Sequence, residues 1–161
     1  MTECSANEIE GLAARAARGA GAGGAQAAHF GRAAAMHLAR GGAGGDLLAA
    51  LDALPGGPVN DMPLALLAAP DAVRIATGGH DALTESYLAA LPFVARVTGR
   101  GAGWLDAYLS RGDRRAVSLP ARIALDADTQ GALAAFAART YVPQSETSRL
   151  SGAGAGLTDN D

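Results

Sequence analysis

The stretch that decides the fold is Trp104-Leu105-Asp106-Ala107-Tyr108-Leu109-Ser110-Arg111-Gly112-Asp113-Arg114-Arg115-Ala116-Val117-Ser118-Leu119. It holds two strand-like runs, 104–109 and 114–119, on either side of Ser110-Arg111-Gly112-Asp113, a group rich in turn formers. Such a pattern predicts a β-hairpin. Toward the C-terminus, 121–125 reads as one more short strand. Asp126 or Asp128 then caps a last helix through Arg139, with Leu133, Phe136 and Ala137 facing inward.

Working back from the hairpin, 85–97 carries Tyr87, Leu88, Leu91, Val94 and Ala95 at helical spacing, interrupted by Pro92. The runs 64–68 and 73–77, joined by Pro70-Asp71, resemble a second hairpin. Pro55-Gly56-Gly57-Pro58 is a firm loop and the best internal boundary. Before it the texture is helical. Ser5-Ala6-Asn7-Glu8 is a capping box, in which Ser5 accepts from the Glu8 amide and the Glu8 carboxylate from the Ser5 amide. Ile9, Leu12, Ala13 and Ala16 continue one apolar face, Cys4 is the staple partner of Ile9, and Gly19 supplies the stop. A second helix covers 26–40 with Phe30, Ala33, Ala34, His37 and Leu38 as its stripe, and Asp46 caps a short third one through Leu54.

Helices, then strands, then one helix make an α+β fold. It comprises an N-terminal helical segment, a small and mainly antiparallel sheet, and a C-terminal helix with an extended Gly-rich tail. The expected organisation is a single domain over 1–150, with a helical part at 5–54 and a mixed α/β part at 63–140, followed by a tail at 151–161.

A chain of 161 residues matches one domain on length. Its hydrophobic fraction is 49%, yet roughly a quarter of the residues are Ala, far above ordinary usage. Ala buries little area, so the expected core is thin and its helices meet through small residues, with a dimer interface as one remedy. The 13 basic residues are all Arg, which fits a GC-rich coding sequence. Net charge is −3 and no basic run exceeds Arg114-Arg115, which speaks against nucleic acid as a partner. A lone Cys4 excludes an internal disulfide and any multi-cysteine zinc site. There is neither a secretory leader pattern nor an apolar run of membrane-spanning length, so the expectation is a soluble, cytoplasmic protein away from membranes.

Four groups of residues invite a chemical reading. Gly19-Ala20-Gly21-Ala22-Gly23-Gly24 matches the dinucleotide fingerprint in letters, but a capped helix precedes it where a strand is needed. It reads better as a helix–helix connection, with a lesser option of an anion held by the amides that start the next helix. His29 and His37 lie eight apart with Ala33 at the position a helical zinc pair would use, so no metal site is assigned. His80, in Thr77-Gly78-Gly79-His80-Asp81, is a candidate acid/base in a loop whose glycines admit a ligand, although sequence-adjacent His and Asp side chains diverge. Finally, Tyr141 to Asp161 turns from Ala and Gly to hydroxyls, carboxylates and one Arg. There Tyr141, Ser148, Arg149, Gly152 and Gly154 can bind a carboxylate or phosphate, with Glu146 as a second catalytic candidate beside His80. A terminal segment of Gly, Ser and Asp is equally the composition of a tail that packs on nothing.

The ending Ser148-Arg149-Leu150-Ser151-Gly152-Ala153-Gly154-Ala155-Gly156-Leu157-Thr158-Asp159-Asn160-Asp161 resembles the close of a proteobacterial family known only as a domain of unknown function. The opening, Asn7-Glu8-Ile9-Glu10 through Ala17-Arg18-Gly19-Ala20-Gly21, is similar to that family's start, and the middle is not. Members carry a Trp-Gly after the first glycine motif, where this chain has Gly23-Gly24. The resemblance implies no activity, and no cofactor is expected from the residues. No paired catalytic carboxylates or nucleophile–base pair emerge, so the leading expectation is an accessory or binding protein that engages a protein partner or a second copy. The rival is an enzyme acting on a small carboxylate or phosphate at the C-terminal Ser/Glu/Arg/Gly segment.

Overall fold

The computed structural model describes residues 1–140. The fold is α+β. In chain order the elements are β1 (Thr2–Cys4), α1 (Ala6–Gly19), α2 (Gly24–Ala39), α3 (Gly44–Asp52), α4 (Pro58–Ala68), β2 (Ala72–Ala76), α5 (Asp81–Ala89), β3 (Phe93–Gly101), β4 (Trp104–Arg114), β5 (Ile123–Leu125) and α6 (Ala127–Ala138). The order β2-β4-β3 makes an antiparallel three-stranded sheet, and β1 pairs with β5 as a separate antiparallel ribbon.

The capping box forms as expected. Glu8 N donates to Ser5 Oγ at 3.3 Å and Ser5 N donates to the Glu8 carboxylate at 2.7 Å. These bonds satisfy amides that have no partner inside the first turn. Asp126, and not Asp128, caps α6 by accepting from Thr129 N at 2.7 Å. Asp46 does not cap α3: Ala43 is the N-cap, and Asp46 sits in the first turn. Between α1 and α2 the glycine motif is a helix–helix link, with Gly21 at φ +106°.

Small residues do bring the helices close. A Cβ on Gly31 of α2 would come within 2.5 Å of the Glu10 carbonyl of α1. On Gly19 it would come within 1.8 Å of the Phe136 carbonyl of α6. Phe30, Ala33 and Ala34 of α2, Leu47 and Leu51 of α3, Val59 and Met62 of α4, Leu83 and Leu88 of α5 and Leu109 of β4 share one core. Along β4 the alternation is regular, with Leu105, Ala107 and Leu109 buried and Asp106 and Tyr108 turned outward. A second cluster of Ile9, Ala35 and Ile123 lies under the β1–β5 ribbon, with Cys4 packed against it.

Several expected strands and turns are corrected. Residues 64–68 are the last turns of α4, so no hairpin joins them to β2. Pro58 occupies the first helical position, where its fixed φ fits, and the Leu/Ala run that follows has no β-branched residue. The helix expected over 85–97 divides: α5 begins earlier, at Asp81, and closes at Ala89, while β3 starts directly after Pro92. Proline lacks the amide and the sterics to continue a helix, and Val94 and Val97 favour the strand beyond it. The hairpin expected at Ser110–Asp113 is absent, because β4 runs unbroken from Trp104 to Arg114. Its turn lies before it, at Ala102-Gly103, where Gly103 takes φ +75° and Gly101 pairs with Trp104. Residues 115–119 are not strand.

Arg111 and Arg115 explain why the expected turn is not one. The Arg111 guanidinium donates to the carbonyls of Leu66 at 3.3 Å and Ala69 at 2.6 Å, and pairs with Asp71 at 3.0 Å. Arg115 donates to the carbonyls of Leu91, at 3.3 Å, and Ala89. The two arginines thus cover the carboxyl ends of α4 and α5, whose last carbonyls have no helical partners.

Candidate functional site

One face of α2 is left uncovered by α1. Ala25, Gln26, His29 and Arg32 recur along it at helical spacing and border a groove of about 320 Å³. Pro63, Leu64, Leu66 and Leu67 of α4 contribute a second side. Tyr87 and Ala90, then Leu91, Pro92 and Phe93 leading into β3, contribute a third, and Arg111 of β4 completes it. The volume is at the lower end of the roughly 300–1,000 Å³ usual for small-molecule sites.

Leu64 is 54% exposed and Leu67 83% exposed, in a chain where most large apolar side chains are covered. A scattered exposed leucine is ordinary, but a pair one helical turn apart bordering an apolar concavity marks a contact surface. Deeper in, Tyr87 is 4% exposed, and its hydroxyl has no hydrogen-bond partner among the described residues. Burial pushes its phenol far above the ordinary value, so it is a neutral O–H donor at every physiological pH. A buried donor without an acceptor is costly to keep.

The fixed charges among the described residues that line the groove are the guanidinium groups of Arg32 and Arg111. Arg32 and His29 are exposed and make no hydrogen bond or ion pair among the described residues. Arg111 is committed to Asp71 and to the α4 carbonyls, and its guanidinium lies 5.8 Å from the Phe93 ring centre. Among the described residues no carboxylate lines the groove, although the chain has a net charge of −3. The first turn of α2, through Ala25 and Gln26, adds the positive end of a helix dipole.

His80 lies outside this groove. It is the half-buried N-cap residue of α5; its amide donates to the Thr77 carbonyl at 2.9 Å and its carbonyl accepts from Thr84 N at 2.9 Å. The adjacent Asp81 carboxylate is engaged by the Thr77 hydroxyl. Tyr141, Glu146, Ser148, Arg149, Gly152 and Gly154 lie outside the described residues. Among the described residues, no group of three His, Cys, Asp or Glu side chains is placed to hold a metal ion, and no helix is long and apolar enough to cross a membrane.

His29 and His37 part company. His37 is 1% exposed, and its Nδ1 lies 3.2 Å from Ser86 Oγ. Its Nε2 lies 3.1 Å from the Asp46 carboxylate and 3.1 Å from the Ala43 carbonyl. The order hydroxyl, imidazole, carboxylate is that of a nucleophile relay, but Ser86 is 2% exposed and its hydroxyl donates back to the Ala82 carbonyl at 2.8 Å. A nucleophile must meet substrate, so this trio serves packing.

Sequence reading missed the groove because its parts come from separate elements. The one signal present was the set Gln26, His29 and Arg32, polar residues sharing a face of an Ala-rich helix. Leu64 and Leu67 carried no such signal once their run was taken as strand. Comparison of the chain with protein-family models, with curated proteins and with solved structures returns no match.

Proposed function

We propose that this chain is a binding protein without chemistry of its own, and that the groove bordered by α2, α4 and α5 is its working surface. The observation that carries the reading is the pairing, around one concavity, of two exposed leucines with Tyr87, whose buried hydroxyl has no partner among the described residues. Apolar surface left in water at about 25 cal/mol per Å², beside an unused donor, is a combination that folding alone does not favour. An occupant would cover the first and satisfy the second.

The test uses a neutral fluorescent probe, N-phenyl-1-naphthylamine, with the full chain. Saturable enhancement at one site is expected, and Leu67→Asp together with Ala90→Trp should remove it. Leu67 is mostly exposed and Ala90 half-buried, so the fold should tolerate both. No enhancement, or enhancement that survives both substitutions, sinks the reading.

A further inference from the structure

The groove reading leaves the chemistry of the occupant open, and the arrangement of charge narrows it. Resting on that reading, we infer that the ligand is an amphiphilic anion, with an alkyl or aryl body in the apolar part and a singly charged, carboxylate-like head at His29 and Arg32.

Each half of this ligand answers a separate feature. Leu64, Leu67 and Phe93 present hydrocarbon to the groove. His29 and Arg32 are three residues apart on α2, so both side chains project from one face. Arg32 has no carboxylate partner among the described residues, and a guanidinium pairs best with a planar oxyanion through two parallel hydrogen bonds. A cationic or zwitterionic ligand would find no carboxylate in the lining among the described residues. Tyr87 lines the same groove, and its neutral O–H, unpartnered among the described residues, would become a donor to the bound head.

The span also suits a small molecule. From Ala25 to Arg32 the groove follows α2 for seven residues, about 10 Å at the helical rise. That is the reach of a chain of about eight carbons, so octanoate and 1-octanol are matched probes that differ in the head alone.

Calorimetric titration of the full chain with both probes tests the inference. Octanoate should bind about tenfold more tightly than 1-octanol, the worth of one charge-assisted hydrogen bond. Arg32→Gln should erase that preference and leave 1-octanol within about twofold of its wild-type affinity. Tyr87→Phe should weaken octanoate without unfolding the chain. Equal affinities for the two probes, or an Arg32→Gln protein that still prefers octanoate, overturn the anionic head while leaving the apolar groove intact. Failure of both probes overturns the two readings together. A dimer in solution that Leu67→Asp dissociates, with no probe bound, means that a second copy fills the groove and also overturns the inference.

Discussion

His37 Nδ1 lies 3.2 Å from Ser86 Oγ, and this one contact ties α2 to α5 across 49 positions of sequence. The opposite ring nitrogen reaches the start of α3, at the Ala43 carbonyl and the Asp46 carboxylate. Gly42 is folded so tightly over the ring that a Cβ there would lie 2.3 Å from Nε2. One imidazole therefore fixes the mutual placement of three helices, two of which border the groove.

Removing it should be expensive. His37→Ala leaves a cavity and exposes buried polar groups without partners, so a loss of about 2–4 kcal/mol is expected. Asp46→Asn should cost under about 1 kcal/mol, because the Asp46 side chain is 46% exposed and solvent competes for it. Urea unfolding measures both; equal losses would show that the carboxylate, and not the ring, holds the helices.

Glycine substitutions separate close packing from simple helix propensity. Gly31→Ala drives a methyl into the Glu10 carbonyl at 2.5 Å, and Gly19→Ala meets the Phe136 carbonyl at 1.8 Å. Each should destabilise by about 2–3 kcal/mol or prevent folding, since the helices must separate. Gly131, inside α6, has nothing within 4 Å of the built Cβ. Gly131→Ala should raise stability by up to about 1 kcal/mol through propensity alone. Thermal melts of the three variants check the contrast, and a stabilised Gly31→Ala protein would refute the close approach.

These contacts show what was legible in the chain and what was not. Two local signals held, the Ser5–Glu8 box and the Asp126 cap, each made by residues within a turn of each other; Asp46 does not cap α3, and Gly19 is still helical, the left-handed glycine after α1 being Gly21. Register and turn placement did not hold. Ser110–Asp113 has turn composition, yet Arg111 is spent on carbonyls 42 and 45 residues away, and β4 passes straight through. Nothing nearby in sequence announces such a partner. Ribbon β1–β5 was half seen for the same reason, since Thr2–Cys4 is strand only because Ile123–Leu125 comes to lie beside it. The groove was invisible as a site because α2, α4, α5 and β4 assemble it, although Gln26, His29 and Arg32 were in plain view.

Acid sensitivity should follow the carboxylates that the fold holds ionised. Hydrogen bonds from the Ser5 backbone and hydroxyl lower Glu8, bonds from Thr129 lower Asp126, and the Arg74 guanidinium lowers Asp106. A lowered folded-state pKa means that the unfolded chain binds protons first. The stabilisation is complete above the unfolded values of about 3.9 for Asp and 4.3 for Glu, and is lost as pH falls through the lower folded values. The melting temperature of the wild type should therefore drop below about pH 4. Glu8→Gln and Asp126→Asn should each begin lower and fall less. Parallel curves for variants and wild type would contradict the assignment.

Tyr87→Phe decides whether the unpartnered hydroxyl is a flaw of packing or a feature kept for a ligand. Without ligand, the substitution removes a buried donor that bonds nothing among the described residues and keeps the ring that fills the core. Apo stability should hold or rise by about 1 kcal/mol, the reverse of the usual sign for a core substitution. Excess octanoate should then restore the order: the wild type gains stability by mass action, and Tyr87→Phe gains less because the bound head loses a donor. A flaw of packing predicts the apo gain and an identical ligand increment in both proteins. A destabilised apo variant predicts a hidden structural acceptor for the hydroxyl, and then Tyr87 has no hydrogen left to offer. The two melts, with and without octanoate, separate these cases in one experiment, and only the pairing of an apo gain with a reduced increment fits a donor reserved for an occupant.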